Sequence, residues 1–239
     1  MLFSILGGGD IRTIIISLIL SLPVLILALV CHEVAHGYVA YKCGDPTAYN
    51  LGRLTLNPIH HLDPIGFLCM MITGYGWAKP VPINTRLFRN PKRGMAICAA
   101  AGPAANLLLG LISALLCALF VALYSFLYYK VGEGFLLNFV LWLKRLCRLG
   151  ALYNFLFMAC NLIPIPPCDG SRIFLHFLPT KLYFGVMRYE RQIMFGLLIA
   201  LLILSRTGFS PFSMIAEFLT DLIVTPLSNL FWKLFVGLI

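Results

Sequence analysis

Long apolar stretches alternate along the chain with polar connections that are rich in turn residues. The stretch 11–31 carries no charge except Arg12, and a helical pattern continues to about Tyr41, before Gly44-Asp45-Pro46 ends it. About thirty helical residues extend about 45 Å, which exceeds the hydrocarbon core of a bilayer at about 30 Å. The first stretch therefore predicts a helix that crosses a membrane.

Further apolar runs occupy residues 94–129, 150–165 and 192–204, and a last one at 212–239 is broken by charges and a proline. The run at 150–165 is short if it starts there, and an extension upstream is left open. Residues 130–148 mix apolar and charged positions, which predicts a loop plus a helix on the membrane surface. We therefore predict an all-α polytopic membrane protein, a helical bundle of about four to six membrane segments in a single domain over 1–239. Its catalytic core is expected over about 12–175.

The connection 42–93 is polar and contains a short apolar piece, 67–73, that is too short to span. Pro80 and Pro82 exclude a helix and favour an extended edge segment. Two interpretations remain open. The stretch forms a small re-entrant or extended hairpin near 67–84, or it is an ordinary surface loop anchored by Trp77.

Composition supports a membrane protein. The chain is 60% hydrophobic and 11% charged, with a mean hydropathy of +0.91. The net charge of +9 fits the positive-inside rule and contact with anionic lipid headgroups. Nucleic-acid binding would need a basic patch on a soluble module, so we predict the lipid bilayer and no nucleic acid as partner.

Basic residues concentrate in two stretches, 42–93 and 170–191, which hold eleven of the 18 Lys and Arg. These eleven are Lys42, Arg53, Lys79, Arg86, Arg89, Lys92, Arg93, Arg172, Lys181, Arg188 and Arg191. The bias predicts that both stretches face the cytosol. The eight cysteines form no CxxC pair and are interpreted as small hydrophobic residues rather than a disulfide framework.

The apolar stretch 11–31 leads into His32-Glu33-Val34-Ala35-His36, an HExxH pattern. Four residues are about 400° of helical rotation, so His32 and His36 share one face and can hold one metal ion. Glu33 lies beside that face and can reach a metal-bound water as a general base. Ionisable groups at membrane depth are costly, and this favours a functional site over two histidines that merely cap a helix.

A catalytic zinc takes three protein ligands and keeps one position for water, so a third ligand is needed. The candidates are Asp169, His60, His61, Asp63, His176 and Glu190. Asp169 is favoured because it follows an apolar segment, as His32 does, and a charge there needs a partner. His60 and His61 lie in a polar loop, where solvated or headgroup-facing side chains are the preferred interpretation, and the same logic applies to His176.

Two functions from other classes compete with a metallohydrolase. In a membrane zinc carrier or channel, histidines and acids line an ion path and Glu33 has no chemistry. An inactive scaffold would keep the fold and bind membrane partners, but no residue of the HExxH motif is missing.

A second motif, Asn161, Pro164, Asp169 and Gly170, has the form Asn-x-x-Pro-x-x-x-x-Asp-Gly after an apolar segment. Together with HExxH, it makes the chain resemble the site-2 protease family of intramembrane zinc metalloproteases. The stretches 57–66, 77–82 and 102–106 are similar to the small bacterial branch without a PDZ domain, and the resemblance covers roughly residues 25–175.

The resemblance implies one zinc ion per chain held by His32, His36 and Asp169, with Glu33 as base. It implies that Asn161 binds the substrate backbone or the developing oxyanion, that membrane-spanning proteins are the substrates, and that the site lies toward the cytosolic side of a bacterial inner membrane. Cys168 departs from the family's usual Leu before the aspartate and puts an oxidisable group beside the metal.

Overall fold

The structure is a computed structural model that describes residues 11–73, 77–177, 179, 182, 185–186, 188–206 and 211–237. The described residues form helices and connections, with no β-strand among them. The helices are α1 Ile11–Lys42, α2 Thr47–Asn50, α3 Pro64–Thr73, α4 Pro91–Val131, α5 Phe135–Asn161, α6 Asp169–Phe174, α7 Glu190–Arg206 and α8 Pro211–Gly237. Single 3₁₀ turns lie at Pro58–His60, Thr85–Leu87 and Leu175–Phe177.

Within the described residues, three helices are long and apolar enough to cross a membrane: Ile19–Lys42 of α1, α4 and α8. α5 has 27 residues but carries three basic side chains in its middle, and α7, with 17 residues, is shorter than a full span. The predicted all-α polytopic membrane fold is confirmed. The exposed face of α4 is apolar, as a lipid-facing surface requires, through Leu107, Leu108, Leu111, Ile112, Leu115 and Leu116.

α4 is the central helix and packs against α1, α5, α6 and α8. Its interface with α5 and α8 is built from small residues, including Ala114 and Ala118, which allow the backbones to approach closely. Gly110 belongs to the same interface, because a Cβ there would lie 2.6 Å from Cε1 of Phe155 on α5. This close packing brings buried polar groups of three helices into contact.

The boundary expected near residue 148 is absent. After α4 the chain turns through 132–134, and α5 then runs without interruption through 148 to Asn161. Residues 130–148 thus contain the expected turn and helix, and this helix is the upstream extension of the 150–165 segment rather than a second element. One of the charges in this stretch, Arg148, pairs with α8: its Nη1 lies 2.8 Å from Asp221 Oδ1, and both side chains are about half exposed.

The connection between α1 and α4 contains a helix followed by an extended segment. The apolar piece near 67 forms α3, and Leu62 pairs with Ala78 in one isolated antiparallel bridge. Residues 74–76, inside the predicted hairpin, lie outside the described residues. The predicted extended edge is present at 77–84, but its companion in the described part of the connection is helical rather than a second strand.

Candidate metal centre and active site

Three side chains from two separate helices meet at one point. His32 and His36 lie one turn apart on α1, and their Nε2 atoms are 3.0 Å apart. Asp169, the first residue of α6, places Oδ2 3.1 Å from His32 Nε2 and 3.2 Å from His36 Nε2. Among the described residues, these three form a group that could hold a metal ion.

The other ring nitrogens fix which atoms face the centre. His36 Nδ1 lies 2.8 Å from the carbonyl oxygen of Cys98, which can only accept a hydrogen bond. His32 Nδ1 lies 2.5 Å from Oδ1 of Asn106. Both Nδ1 atoms therefore donate, and in the neutral rings both Nε2 atoms carry lone pairs that point toward the Asp169 carboxylate.

Asn106 is held in the orientation that this arrangement needs. Its Nδ2 donates to Ala28 O at 3.2 Å and to Asn154 Oδ1 at 2.9 Å, which leaves Oδ1 to accept from His32. Asn106 is fully buried and Asn154 nearly so. A buried polar network thus joins α1, α4 and α5 and orients the first histidine. Asn154 went unrecognised in the sequence because no motif marks it.

The donor set fits a zinc ion. Two neutral imidazoles and a carboxylate are typical ligands of catalytic zinc, with bonds of about 2.0–2.2 Å that put tetrahedral ligand atoms about 3.3–3.5 Å apart. The three separations of 3.0, 3.1 and 3.2 Å are close to that edge length. Asp169 Oδ2 is buried and accepts no hydrogen bond. A cation placed among these three lone-pair donors would offset their mutual repulsion.

Gly102 of α4 forms the wall behind the two histidines. A Cβ at this position would lie 2.6 Å from His32 Nε2 and still closer to His36 Nε2. Any side chain there would occupy the space on which the ligand atoms converge. The small residue in the Gly102–Asn106 motif is therefore required by the site as well as by helix packing.

Asp169 reaches α1 because the chain reverses sharply after α5. The sequence from 164 to 167 contains three prolines, which cannot continue the helix. At Gly170 a Cβ would collide with the carbonyl oxygen of Leu162 and lie 2.5 Å from that of Ile163. Only glycine lets the start of α6 fold back so closely onto the end of α5, and this places the aspartate opposite the histidines.

The rival ligands have other partners or positions. His61 is fully buried, so the solvated interpretation is wrong for it. It donates from Nε2 to Thr55 O at 2.8 Å, and burial lowers its pKa. His60 is exposed on its 3₁₀ turn. Asp63 accepts from the N–H of Gly66, and Glu190 pairs with Arg172 at 3.0 Å. His176 packs its ring edge-on against Phe177.

The two residues with predicted catalytic roles stand outside the ligand trio. Glu33 is half-buried, and its Oε2 accepts a hydrogen bond from the main-chain N–H of Val81 at 3.1 Å. Asn161 is the last residue of α5, where its Nδ2 donates to Phe157 O of its own helix at 3.1 Å. Both side chains are therefore anchored to backbone groups.

Cys168 lies beside the aspartate as a half-buried thiol. Burial raises its pKa to about 11, and the neighbouring Asp169 carboxylate acts in the same direction. The thiol is therefore protonated near neutral pH, and a protonated thiol is a poor nucleophile and is oxidised slowly.

Comparison with known proteins finds two curated relatives. The protein named "Putative zinc metalloprotease YwhC" from Bacillus subtilis (strain 168) is 40% identical over 155 residues, which cover 65% of this chain and 67% of that protein. "Putative zinc metalloprotease Rip2" from Mycolicibacterium smegmatis (strain ATCC 700084 / mc(2)155) is 32% identical over 93 residues, or 36% of this chain and 35% of that protein.

No family model matches the chain, and no solved structure matches it. The relation to YwhC nevertheless extends over two thirds of that protein, and it agrees with the two sequence motifs and with the convergence of their residues in space. The chain therefore belongs to the site-2 protease family of metalloproteases.

Proposed function

We propose that the protein is an intramembrane zinc metalloendopeptidase that hydrolyses peptide bonds in or near the membrane-spanning segments of other proteins. One observation carries the proposal: the lone pairs of His32, His36 and Asp169 converge at an apolar helix that is long enough to cross a membrane. Regulated intramembrane proteolysis is the process in which such an activity operates.

The residues divide the work as follows. His32, His36 and Asp169 hold one zinc ion per chain, which when bound polarises the scissile carbonyl and acidifies water. Glu33 takes the proton from the attacking water and passes it to the leaving amine. Asn161 donates from its amide to the substrate backbone or to the developing oxyanion, and its Nδ2 has a second N–H for this besides the one bonded to Phe157 O.

The bilayer imposes two conditions on this chemistry. Water must reach the metal site, and the exposed connection between α1 and α4 supplies polar groups on the side of the site that it borders. A helical substrate hides its carbonyls in its own hydrogen bonds, so it must unwind locally before it is cut. The extended segment 77–84 offers a backbone surface along which an unwound chain can lie.

Wild-type protein in liposomes is expected to cut an embedded helical peptide, to bind one zinc ion per chain and to lose cleavage after chelation. Asp169→Ala should lose both zinc and cleavage, because two ligands hold the ion far less well than three. Metal analysis and peptide products provide the measurement. Zinc flux is recorded in the same liposomes.

Robust zinc flux without cleavage of any peptide in a broad panel would replace the peptidase with a zinc carrier. Asp169→Ala protein that retains a full zinc complement would remove Asp169 from the ligand set. Glu133→Gln, at an exposed acid in the turn between α4 and α5, is the control that should match wild type in both measurements.

We also propose that the protein lies in the inner membrane of a bacterial cell and that its active site opens toward the cytosol. Single cysteines at Arg89 and Arg188, introduced into a cysteine-free chain, should react with an impermeant maleimide from the cytosolic side only, because basic loops remain there. A cysteine at Glu133 should react from the opposite side. All three positions are exposed. Labelling of the cysteines at positions 89 and 188 from outside would show the opposite orientation.

Lys181, one of the eleven basic residues, lies outside the described part of the chain.

A further inference from the structure

The extended segment 77–84 is clamped to the protein at both ends. Near its start, Lys79 donates its N–H to His61 O at 2.8 Å, and Arg53 Nη2 donates to the carbonyls of Lys79 at 2.8 Å and Pro80 at 3.3 Å. At its end, the N–H of Asn84 donates to Asp45 Oδ2 at 2.6 Å.

The clamping groups are unusual for a surface connection. Arg53 and Asp45 are both buried, and Asp45 has no exposed surface at all. Charged residues are rarely buried unless their hydrogen bonds are needed to hold something in place. Pro80 and Pro82 add stiffness because each ring fixes its own backbone angle and restricts the residue before it. The segment is therefore a rigid strip rather than a mobile loop.

Val81 lies between the two clamps, and its N–H is directed at the HExxH glutamate. Val81 N donates to Glu33 Oε2 at 3.1 Å, and the valine side chain is buried against the space beside Gly37 of α1. Val81 is the single residue between Pro80 and Pro82, and its N–H is the one that reaches Glu33. The donor is thus fixed by the strip, while the acceptor is a flexible side chain.

A carboxylate held by one oxygen keeps the other oxygen in a defined direction. A glutamate has three rotatable bonds, and ordering them costs free energy at each turnover unless a contact orders them beforehand. A bond from an N–H to a carboxylate is charge-assisted and about twice as strong as a neutral one. Glu33 Oε2 is engaged in this way, and Oε1 is left to take the proton of the attacking water.

We propose that the main-chain N–H of Val81 is a positioning group that orders Glu33 for its role as general base. The inference rests on the proposed peptidase function. Val81 touches neither water nor substrate in this role and acts through the glutamate. Arg53 and Asp45 contribute indirectly, by fixing the strip from which the N–H projects.

Kinetics can separate the N–H from the valine side chain. Val81→Ala and Val81→Pro both remove the packing of the valine methyl groups. The alanine variant keeps the main-chain N–H of residue 81, and the proline variant lacks it. We expect kcat of the proline variant to be about 10–100-fold below that of the alanine variant, the usual effect of removing an outer hydrogen-bond partner. KM and bound zinc should be the same in both. Equal kcat values in the two variants would overturn the proposal.

Hydrogen exchange tests the same contact without catalysis and without a change in the strip. In Glu33→Ala, the amide of Val81 loses its acceptor and should exchange at least about tenfold faster than in wild type. A hydrogen bond to a charged group contributes more free energy than a tenfold change in exchange rate requires. A peptide covering 77–84 keeps the Lys79 amide inside the fragment and reports few other amides, because Pro80 and Pro82 have none. The amides of Lys79 and Asn84, which bond elsewhere, are its internal controls.

The two measurements distinguish this inference from the proposed function. If wild type cuts no peptide, the peptidase proposal fails, while exchange still determines whether the Val81 N–H is bound to Glu33. If wild type is active but Val81 exchange is unchanged in Glu33→Ala, the peptidase stands and the positioning role is lost. A variant that fails to fold at position 81 leaves the exchange experiment decisive.

Discussion

Glu33→Gln is expected to lower peptide cleavage by about 10²–10⁴-fold, the usual cost of losing a general base, while zinc content stays at the wild-type level. Glutamine has nearly the same shape, and its carbonyl oxygen can still accept the hydrogen bond of the Val81 N–H. It has no carboxylate to take a proton from water. The three converging ligand atoms belong to other residues, so the metal remains.

Cleavage rate and metal content should therefore separate in this variant. The same protein should retain bound substrate without releasing product, and so can be used to capture physiological substrates. Glu217→Gln, an exposed acid on α8, is the matched control and should cut at the wild-type rate. Cleavage by Glu33→Gln at the wild-type rate would show that the assigned mechanism is wrong even for a protein that is a protease.

Gly102→Ala is expected to abolish zinc binding and, with it, all cleavage. The added Cβ would lie 2.6 Å from His32 Nε2 and still closer to His36 Nε2, inside the space where the ligand atoms meet. Neither ring can simply turn away, because each Nδ1 is tied to a buried partner on α4. We expect at least a hundredfold loss of metal affinity, at the upper end of the cost of displacing groups around a metal.

Gly110→Ala on the same helix is the matched control. Its Cβ would lie 2.6 Å from Cε1 of Phe155, so it should lower thermal stability through overpacking. It does not touch the ligands, so the folded fraction should keep its zinc. If Gly102→Ala binds zinc as well as Gly110→Ala does, α4 does not form the wall of the metal site.

The sequence was most informative where chemistry restricts residue type. The HExxH spacing places both histidines on one helix face. The glycine of the Asp-Gly pair marks the point where the chain must reverse after the proline-rich turn. The structure brings His32, His36 and Asp169 within 3.2 Å of one another, and this geometry could be anticipated. Apolar length and composition likewise predicted the polytopic all-α fold, although three of the described helices are long and apolar enough to cross a membrane where about four to six segments were expected.

What could not be predicted depends on partners that are distant along the chain. The charges of 144–148 suggested a helix boundary, but α5 continues through them, and Arg148 pairs with Asp221 on the distant helix α8. His61 was expected to be solvated because its neighbours are polar, yet the connection folds over it. Asn154 lies 48 residues from its partner Asn106, and neither a motif nor a period links them.

The prolines of the strip also bear on how copies of this protein behave toward one another. Between residues 79 and 83, only Lys79, Val81 and Ile83 have an N–H, and those of Lys79 and Val81 are already donated to His61 and Glu33. Two such strips would face each other with few donors, and the carbonyls of Lys79 and Pro80 already accept from Arg53. A continuous ladder between two copies is therefore disfavoured, and this lowers the risk of edge-to-edge aggregation.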